Sequence, residues 1–363
     1  MVKFSELCTL KPENHTGIMS RNFKIGLFLT LAVTTVTFTF YFWQIFRTPN
    51  LQVGKEDSFI LYIPKGATYK AVVDTLTKYD VVQDHVSFAF VTKIKKYQEN
   101  VKPGRYLIPP DATNPWVVNK LREGRQDPVR LIFNNIRLKE DLIKRIGPKF
   151  QFGEGELRAA LSNPAMTQKY GLDTTRIISI FIPNTYDIYW DVSVETFLDR
   201  MHSEYKRFWN EERLKKAEAI NLTPEEVTIL ASIVEEEQGR IPEERPRIAG
   251  VYLNRLRRGM LLQADPTVKF ALGDFGIRRV LNHQLLVDSP YNTYRYSGLP
   301  PGPIRLPDIR SLDAVLNYEN HDYLYMCAKA DLSGYHAFAK TLAEHTINAQ
   351  QYQSALNKLR IKK

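Results

Sequence analysis

One apolar run limits what this chain can fold into more than any other feature. Residues Ile25 to Phe46 read IGLFLTLAVTTVTFTFYFWQIF and carry no charge. About 22 residues at about 1.5 Å each span about 33 Å as a helix, enough to cross a hydrocarbon core of about 30 Å. The run is longer than the apolar part of a secretory signal, and no small-x-small cleavage site follows Trp43. An uncleaved transmembrane helix over 25–46 is therefore expected. Tyr41, Phe42 and Trp43 sit near its end, as interfacial aromatics do. Lys3, Lys11, Arg21 and Lys24 precede it, and Arg47 is the one close basic residue after it. That asymmetry places residues 1–24 in the cytoplasm as a tail and the rest of the chain across the membrane.

The part beyond the span must be globular. The chain is 44% hydrophobic and 25% charged, the proportions of a folded domain rather than a disordered one. Its net charge of +10 is dispersed, which with the anchor disfavours nucleic acid as a partner. Clusters such as Lys93-Ile94-Lys95-Lys96 and Arg255-Leu256-Arg257-Arg258 read as solvated helix faces. The two cysteines, Cys8 and Cys327, fall on opposite sides of the expected membrane, so no disulfide and no cysteine-based zinc site can form. His321, His336 and His345 lack metal-ligand spacing, and there is no dinucleotide, P-loop, HExxH or nucleophile-elbow pattern. No metal and no cofactor is expected.

Residues 47–56 read as a polar linker. Phe59 to Ile63 reads as a strand, Pro64-Lys65-Gly66 as a turn, and Thr68 as the cap of a helix carrying Val72, Val73 and Leu76. A second helix over about 84–97, a strand over 104–108 and a helix capped by Thr113 complete a small α+β unit over 57–125. A fainter copy of the pattern starts with a strand at 129–135 and a helix at 138–146. From about residue 150 the chain becomes longer-helical, with an amphipathic stretch over 193–220 that is broken once. The fold class is α+β: a transmembrane helix, a small α+β subdomain, then a mixed α+β domain over 126–363.

The segment 222–238, LTPEEVTILASIVEEEQ, has its boundaries written in the sequence. Thr223 suits the N-cap, Pro224 the first helical position, Glu226 closes a capping box, and Gly239 ends the helix. At about 100° per residue, Val227, Leu230, Ile233 and Val234 form one apolar face. Glu237 follows them at helical spacing and projects from that face, whereas Glu235 and Glu236 turn about 120–140° away. Glu237 is thus read as the one carboxylate aimed inward. Burial raises a carboxyl pKa, and such a group can hold a proton near neutral pH and act as a general acid.

Polar and stiff segments follow. Leu262-Gln263-Ala264-Asp265-Pro266-Thr267 reads as an extended stretch with a capped turn. Asn292-Thr293-Tyr294 offers amide, hydroxyl and aromatic groups, and Gly298-Leu299-Pro300-Pro301-Gly302-Pro303 a rigid irregular loop. Such groups suit a sugar ring. His336, on a short strand in YHAFA, reads as a polar rim residue.

Taken together and in this order, these stretches resemble the endolytic peptidoglycan (murein) transglycosylases, the MltG/YceG-like family. The resemblance covers about residues 57–357. It is carried by Ile229 to Glu237, Asn254-Arg255-Leu256, Leu262 to Val268, Tyr291 to Tyr294, Gly298 to Ile304, Tyr323-Leu324-Tyr325 and His336-Ala337-Phe338. It implies a lyase that cuts the MurNAc–GlcNAc β-1,4 bond within nascent strands, leaving 1,6-anhydroMurNAc ends and terminating elongation, with Glu237 as acid and then base. It also implies a LysM-like nature for 57–125. The residues it places against substrate are Gln263, Asp265, Thr267, Asn292, Tyr294, Gly298, Leu299, Pro300, Pro301 and His336. Glycan strands, the cytoplasmic (inner) membrane and peptidoglycan synthases are the implied partners, with the catalytic domain periplasmic. Asn184 stands where the family has an acidic residue, Ala264 replaces a threonine, and Leu306-Pro307-Asp308 follows the proline loop. The rival class is a membrane-anchored scaffold that binds peptidoglycan without cutting it.

Overall fold

The computed structural model describes residues 20–51, 58–277 and 279–358. Lys3, Cys8, Lys11, most of the expected cytoplasmic tail and residues 52–57 of the expected linker lie outside them. The chain divides into two compact units, 1–126 and 127–363.

In the first unit, α1 (Arg21–Arg47) contains the apolar run and is long and apolar enough to cross a membrane. β1 (Phe59–Ile63) and β2 (Gly104–Ile108) form an antiparallel ribbon that pairs Phe59 with Ile108 and Ile63 with Gly104. Between them lie α2 (Tyr69–Lys78) and α3 (His85–Ile94), and α4 (Asn114–Glu123) follows. Thr68 caps α2 by accepting from the Ala71 N–H. α3 stops three residues short of its expected end. Lys96 takes a left-handed φ of 54°, and the chain turns so that Tyr97 is buried edge-on to Tyr69. Leu61, Ile63, Val72, Leu76, Phe88, Val91 and Tyr106 form the core. Part of the expected linker is built into this unit: Pro49 bridges Thr113, Leu51 bridges Val82, and Asn50 is buried.

In the second unit, β3 (Val129–Ile132) pairs antiparallel with β4 (Thr185–Ile188), across α5 (Lys139–Ile146), α6 (Gly153–Ser162) and α7 (Pro164–Gln168). Sequence reading passed over β4, which follows an exposed Asn184 whose side chain accepts from the Thr185 N–H. α8 (Val194–Phe208) and α9 (Glu211–Ala219) are the two parts of the amphipathic stretch, with Asn210 capping the second. α10 (Pro224–Glu237) carries the capping box: Glu226 N–H donates to Thr223 Oγ1, and Thr223 N–H donates to Glu226 Oε2. α11 (Arg245–Arg257), α12 (Asp265–Leu272) and α13 (Ile309–Leu316) pack around α10. β5 (Tyr325–Ala328) and β6 (His336–Ala339) form a short ribbon backed by α14 (Leu342–Lys358). The stretch expected to be extended becomes helical at Asp265, because Pro266 fits the first turn of α12.

α10 is central. Every residue from Val227 to Glu235 is buried, including Thr228 and Ser232, whose hydroxyls donate to Pro224 and Ile229 carbonyls. A helix wrapped on all sides has no solvent face to which a carboxylate could be rotated. This decides what happens at its C-terminal end.

Candidate active site

The three closing glutamates of α10 meet different surroundings, and the expectation that only Glu237 points inward is corrected here. Glu235 is 6% exposed. Its carboxylate takes an ion pair from Arg305 at 3.0 Å, the Asp308 N–H at 2.7 Å and the Ser311 hydroxyl at 2.9 Å. Burial pushes its pKa up, opposed by Arg305 and the Asp308 N–H. Glu236 is gripped by Arg305 at 2.6 Å and by Arg137 at 2.9 Å. The polar atoms bonded to these two carboxylates are all donors, which fixes both side chains in place. Asp308, at the departure Leu306-Pro307-Asp308, caps α13 and pairs with buried Arg245. It is part of the same brace.

Glu237 has no such cation. It is half-buried on the wall of a cavity of about 260 Å³, and it accepts one short bond, 2.6 Å, from the Tyr252 hydroxyl of α11. Burial pushes its pKa up from 4.5 to about 6. The Tyr252 hydrogen bond pulls the other way, the Asp265 charge adds to the rise, and His336 and Lys269 oppose it. Burial and the charge of Glu237 hold the Tyr252 hydroxyl well above its ordinary value, so it remains a donor. The carboxyl is thus poised between its two protonation states near neutral pH, as a group that must both give and take a proton requires.

The cavity gathers some of the residues expected around it and leaves others out. Gln263, Asp265, Tyr294 and His336 line it with Glu237. Gln263 sits at φ 53°, a conformation that costs a non-glycine residue energy, and its amide oxygen accepts from Arg255 at 3.1 Å. Tyr294 donates its hydroxyl to Asp265 at 2.6 Å. His336 is fixed by Glu244, a buried carboxylate: Nδ1 lies 2.7 Å from Oε2 and the backbone N–H 2.8 Å from Oε1. A carboxylate has no proton to offer, so Nδ1 is the donor. Gln238 holds Glu244 in turn, at 2.7 Å.

Thr267 and Asn292 are fully buried beneath the site and do not line the cavity. Thr267 donates to the Ala264 carbonyl and meets the Thr293 hydroxyl. Asn292 donates to the Leu285 and Val287 carbonyls and accepts from the Tyr294 N–H, which sets where Tyr294 stands. The proline loop with Gly298, Leu299, Pro300 and Pro301 also stays out of the cavity wall. Arg176 bonds the Pro301 carbonyl, Ile304 N–H bonds Ser232, and a Cβ on Gly302 would come within 2.8 Å of Thr175.

Sequence reading missed Tyr252 and Arg255. Tyr252 follows Ile248 by four residues on the buried face of α11, a period that could have flagged a hydroxyl turned inward. Arg255, expected on a solvated face, is 7% exposed. It donates to the Leu324 and Leu262 carbonyls and to Gln263, tying the residue before β5, the 261–263 turn and α11 together. Met326, Cys327 and Ala328 of β5 complete the wall. Among the described residues, no group of His, Cys, Asp and Glu could hold a metal ion.

The model of the YceG-like family matches residues 61–351. A Bacillus subtilis (strain 168) protein named endolytic murein transglycosylase is 28% identical over 314 residues, covering 81% of this chain and 85% of that protein. A Streptococcus pneumoniae (serotype 2, strain D39) protein of the same name is 26% identical over 326 residues; the match covers 81% of this chain and 58% of that longer relative. Among solved structures, a crystal structure of a YceG-like protein from Listeria monocytogenes aligns with a TM-score of 0.52 at 28% identity, over 81% of this chain and 99% of that one. Glu237, Tyr252, Asp265, Tyr294 and His336 all fall inside the matched region, and the chain belongs to the YceG-like family.

Proposed function

We propose that this chain is a membrane-anchored endolytic murein transglycosylase with Glu237 as its acid/base. The observation that carries the reading is a carboxyl group without a cationic partner, raised to about 6, in a cavity lined by polar groups. Protonated Glu237 gives its proton to the oxygen of a MurNAc–GlcNAc β-1,4 bond as that bond breaks. The resulting carboxylate takes the proton of the MurNAc 6-hydroxyl, which closes on its own anomeric carbon to leave a 1,6-anhydroMurNAc end. Proton and leaving group balance, and no water is consumed. Hydrolytic glycosidases usually set two carboxyls across the bond. Here the second carboxylate on the cavity wall, Asp265, is held by Tyr294.

Gln263, Tyr294 and His336 position the sugar in this reading. Thr267, Asn292 and the proline loop hold the walls from behind. In this reading the enzyme acts on nascent strands beside peptidoglycan synthases, with the N-terminus cytoplasmic and the second unit outside; the relatives' name supports murein as the substrate, and the apolar α1 supports an anchor. The LysM-like unit over 57–125 guides glycan without chemistry of its own.

The test is Glu237→Gln in the full chain, incubated with purified glycan strands and read by mass detection of 1,6-anhydro ends. Wild type should produce them and the variant should not. Hydrated reducing ends from wild type would refute the lyase step. Tight strand binding with no cleavage by either form would move the protein to the scaffold class.

A further inference from the structure

The first unit presents an apolar helix face to solvent, beside the end of the anchor-like helix. We propose that α3, with the start of α4, is an amphipathic surface that rests in the headgroup layer of the bilayer that α1 enters. The small unit is then laid on the membrane rather than tethered above it.

The outward face of α3 carries Val86, Phe90 and Ile94, 71%, 42% and 52% exposed, at intervals of four residues. The opposite face, with Ser87, Phe88, Val91 and Thr92, is buried in the core. A helix on the surface of a soluble unit normally turns polar residues outward. Here the outward stripe is apolar and flanked by exposed Lys93 and Lys96, the composition of helices that lie in a membrane interface.

The position of this stripe selects the partner. The apolar run of α1 ends at Phe46, so Phe46 marks the edge of the hydrocarbon layer. Phe90 meets Phe46 edge-on, with ring centroids 6.5 Å apart, and so lies within a side chain's reach of that edge. No slack separates the helix from the unit. Ile45 is buried in the unit's core, the Asn114 side chain donates to the Ile45 carbonyl at 3.4 Å, and Asn50 bonds the side chains of Asn114 and Ser87. Trp116, two residues beyond Asn114, is exposed, with the Lys120 ammonium 5.1 Å from its ring centroid. Tryptophan settles at the headgroup level with its ring in the interface, and here Lys120, which donates to the Leu107 carbonyl, backs that ring. Lipid is therefore the occupant that fits a stripe continuous with a membrane helix, and the flanking lysines favour anionic headgroups.

The experiment uses the full chain with Cys8→Ser and Cys327→Ser, reconstituted in phosphatidylcholine–phosphatidylglycerol vesicles. Single labels go on Phe90→Cys and Ile94→Cys, on Asp74→Cys as an exposed control on α2, and on Phe38→Cys within the span. Each label is a fluorophore quenched by lipids carrying a nitroxide near the headgroup or deep in the chain. Labels at 90 and 94 should be quenched by the shallow nitroxide roughly threefold more than the label at 74, as for a helix buried about 5–10 Å into the interface. The label at 38 should answer best to the deep nitroxide. If the label at 38 is quenched while those at 90 and 94 match 74, α3 stands off the bilayer and serves a protein partner instead, and the proposal fails. It fails too if none is quenched, since α1 would then not enter the bilayer.

Discussion

The last turn of α10 has two sides, and they treat the same side chain in opposite ways. On one side, Glu235 and Glu236 share Arg305, and Glu236 also holds Arg137. On the other, Glu237 meets a single hydroxyl. All three carboxyls are largely removed from water, so burial does not separate them. The cations do. A buried carboxylate whose contacts are all charged or dipolar donors is held in place by them and becomes part of the scaffold. A carboxyl with no cation on a cavity wall is free to exchange a proton with what enters the cavity. One helix end thus supplies a brace and an acid within three residues. The brace holds α10 against the 304–308 segment and α13, and so fixes the position of the acid.

The sharpest way to break this comparison is to exchange the carboxyls for amides one at a time. Glu237→Gln should lower cleavage by about 10⁴-fold or more, since general acid–base help is worth about 10²–10⁴ and one group here serves both steps. Its fold should survive, because the swap keeps size and Tyr252 can still donate to the amide oxygen. Glu236→Gln should retain most activity and lose stability instead. Strand-cleavage rates and denaturation midpoints on the same preparations separate the two outcomes. Equal loss of activity in both variants would mean the two sides of the helix end are not distinct.

Removing the shared cation tests the brace. Arg305→Met leaves Glu235 without its ion pair and Glu236 with Arg137 alone. Breaking a buried pair from one side costs about 3–5 kcal/mol. Arg305 Nε is itself buried without a hydrogen-bond partner, so part of that cost is already present in the wild type. A drop near the lower end is therefore expected, read as a shift in urea midpoint. A drop below about 1 kcal/mol, the worth of an exposed pair, would show that the brace is solvated.

These contrasts also show what the sequence could and could not tell. The start of α10 was legible because caps are local: Thr223, Pro224 and Glu226 lie within four residues. The inward placement of Glu237 was legible because its neighbours on the apolar face lie within two turns. The fates of Glu235 and Glu236 were not, because their partners Arg137 and Arg305 lie 99 and 69 residues away. Helical periodicity describes one helix in water and does not register that α11, α12 and α13 enclose it. Arg255 misled for the same reason. A run of arginines usually marks solvent, but the carbonyls of 261, 262 and 324 converge on this one. Asn292 and the proline loop carried a pattern that fits sugar binding, yet the Asn292 amide is spent on backbone partners and the loop is held by the Arg176 and Ser232 side chains.

The raised acid has a thermodynamic consequence. The pKa of Glu237 is about 6 in the fold against 4.5 ordinarily, so the fold disfavours its ionised form. Below the unfolded value both states hold the proton and no stability is lost. As pH rises through 4.5 toward 6 the unfolded chain ionises first, and the fold loses stability until both are ionised. The full loss, on the order of 2 kcal/mol, is present above about pH 6. Glu237→Gln removes it. The stability difference, variant minus wild type, should therefore grow by about that amount between pH 4.5 and pH 7.5, with other groups cancelling. A difference independent of pH would place the folded pKa of Glu237 at its ordinary value.

The smallest effect is the most specific to the acid's side. Tyr252→Phe removes the one hydrogen bond that favours the ionised form of Glu237, and leaves burial and the Asp265 charge to act unopposed by it. The pKa must then rise further. If protonated Glu237 is the species that starts the reaction, the alkaline limb of kcat/KM against pH should move upward, by about one pH unit for a hydrogen bond worth about 1.4 kcal/mol. The rate on the plateau should fall as well, by roughly tenfold, because the freed carboxyl loses its orientation. A purely structural role for Tyr252 would lower the plateau and leave the limb in place. Movement of the limb to lower pH would contradict the donor role outright, since only a group that favours the neutral form of Glu237 could have that effect when removed. Tyr294→Phe is the matched control, because its hydroxyl meets Asp265 and reaches Glu237 only through charge. It should move the limb far less than Tyr252→Phe does.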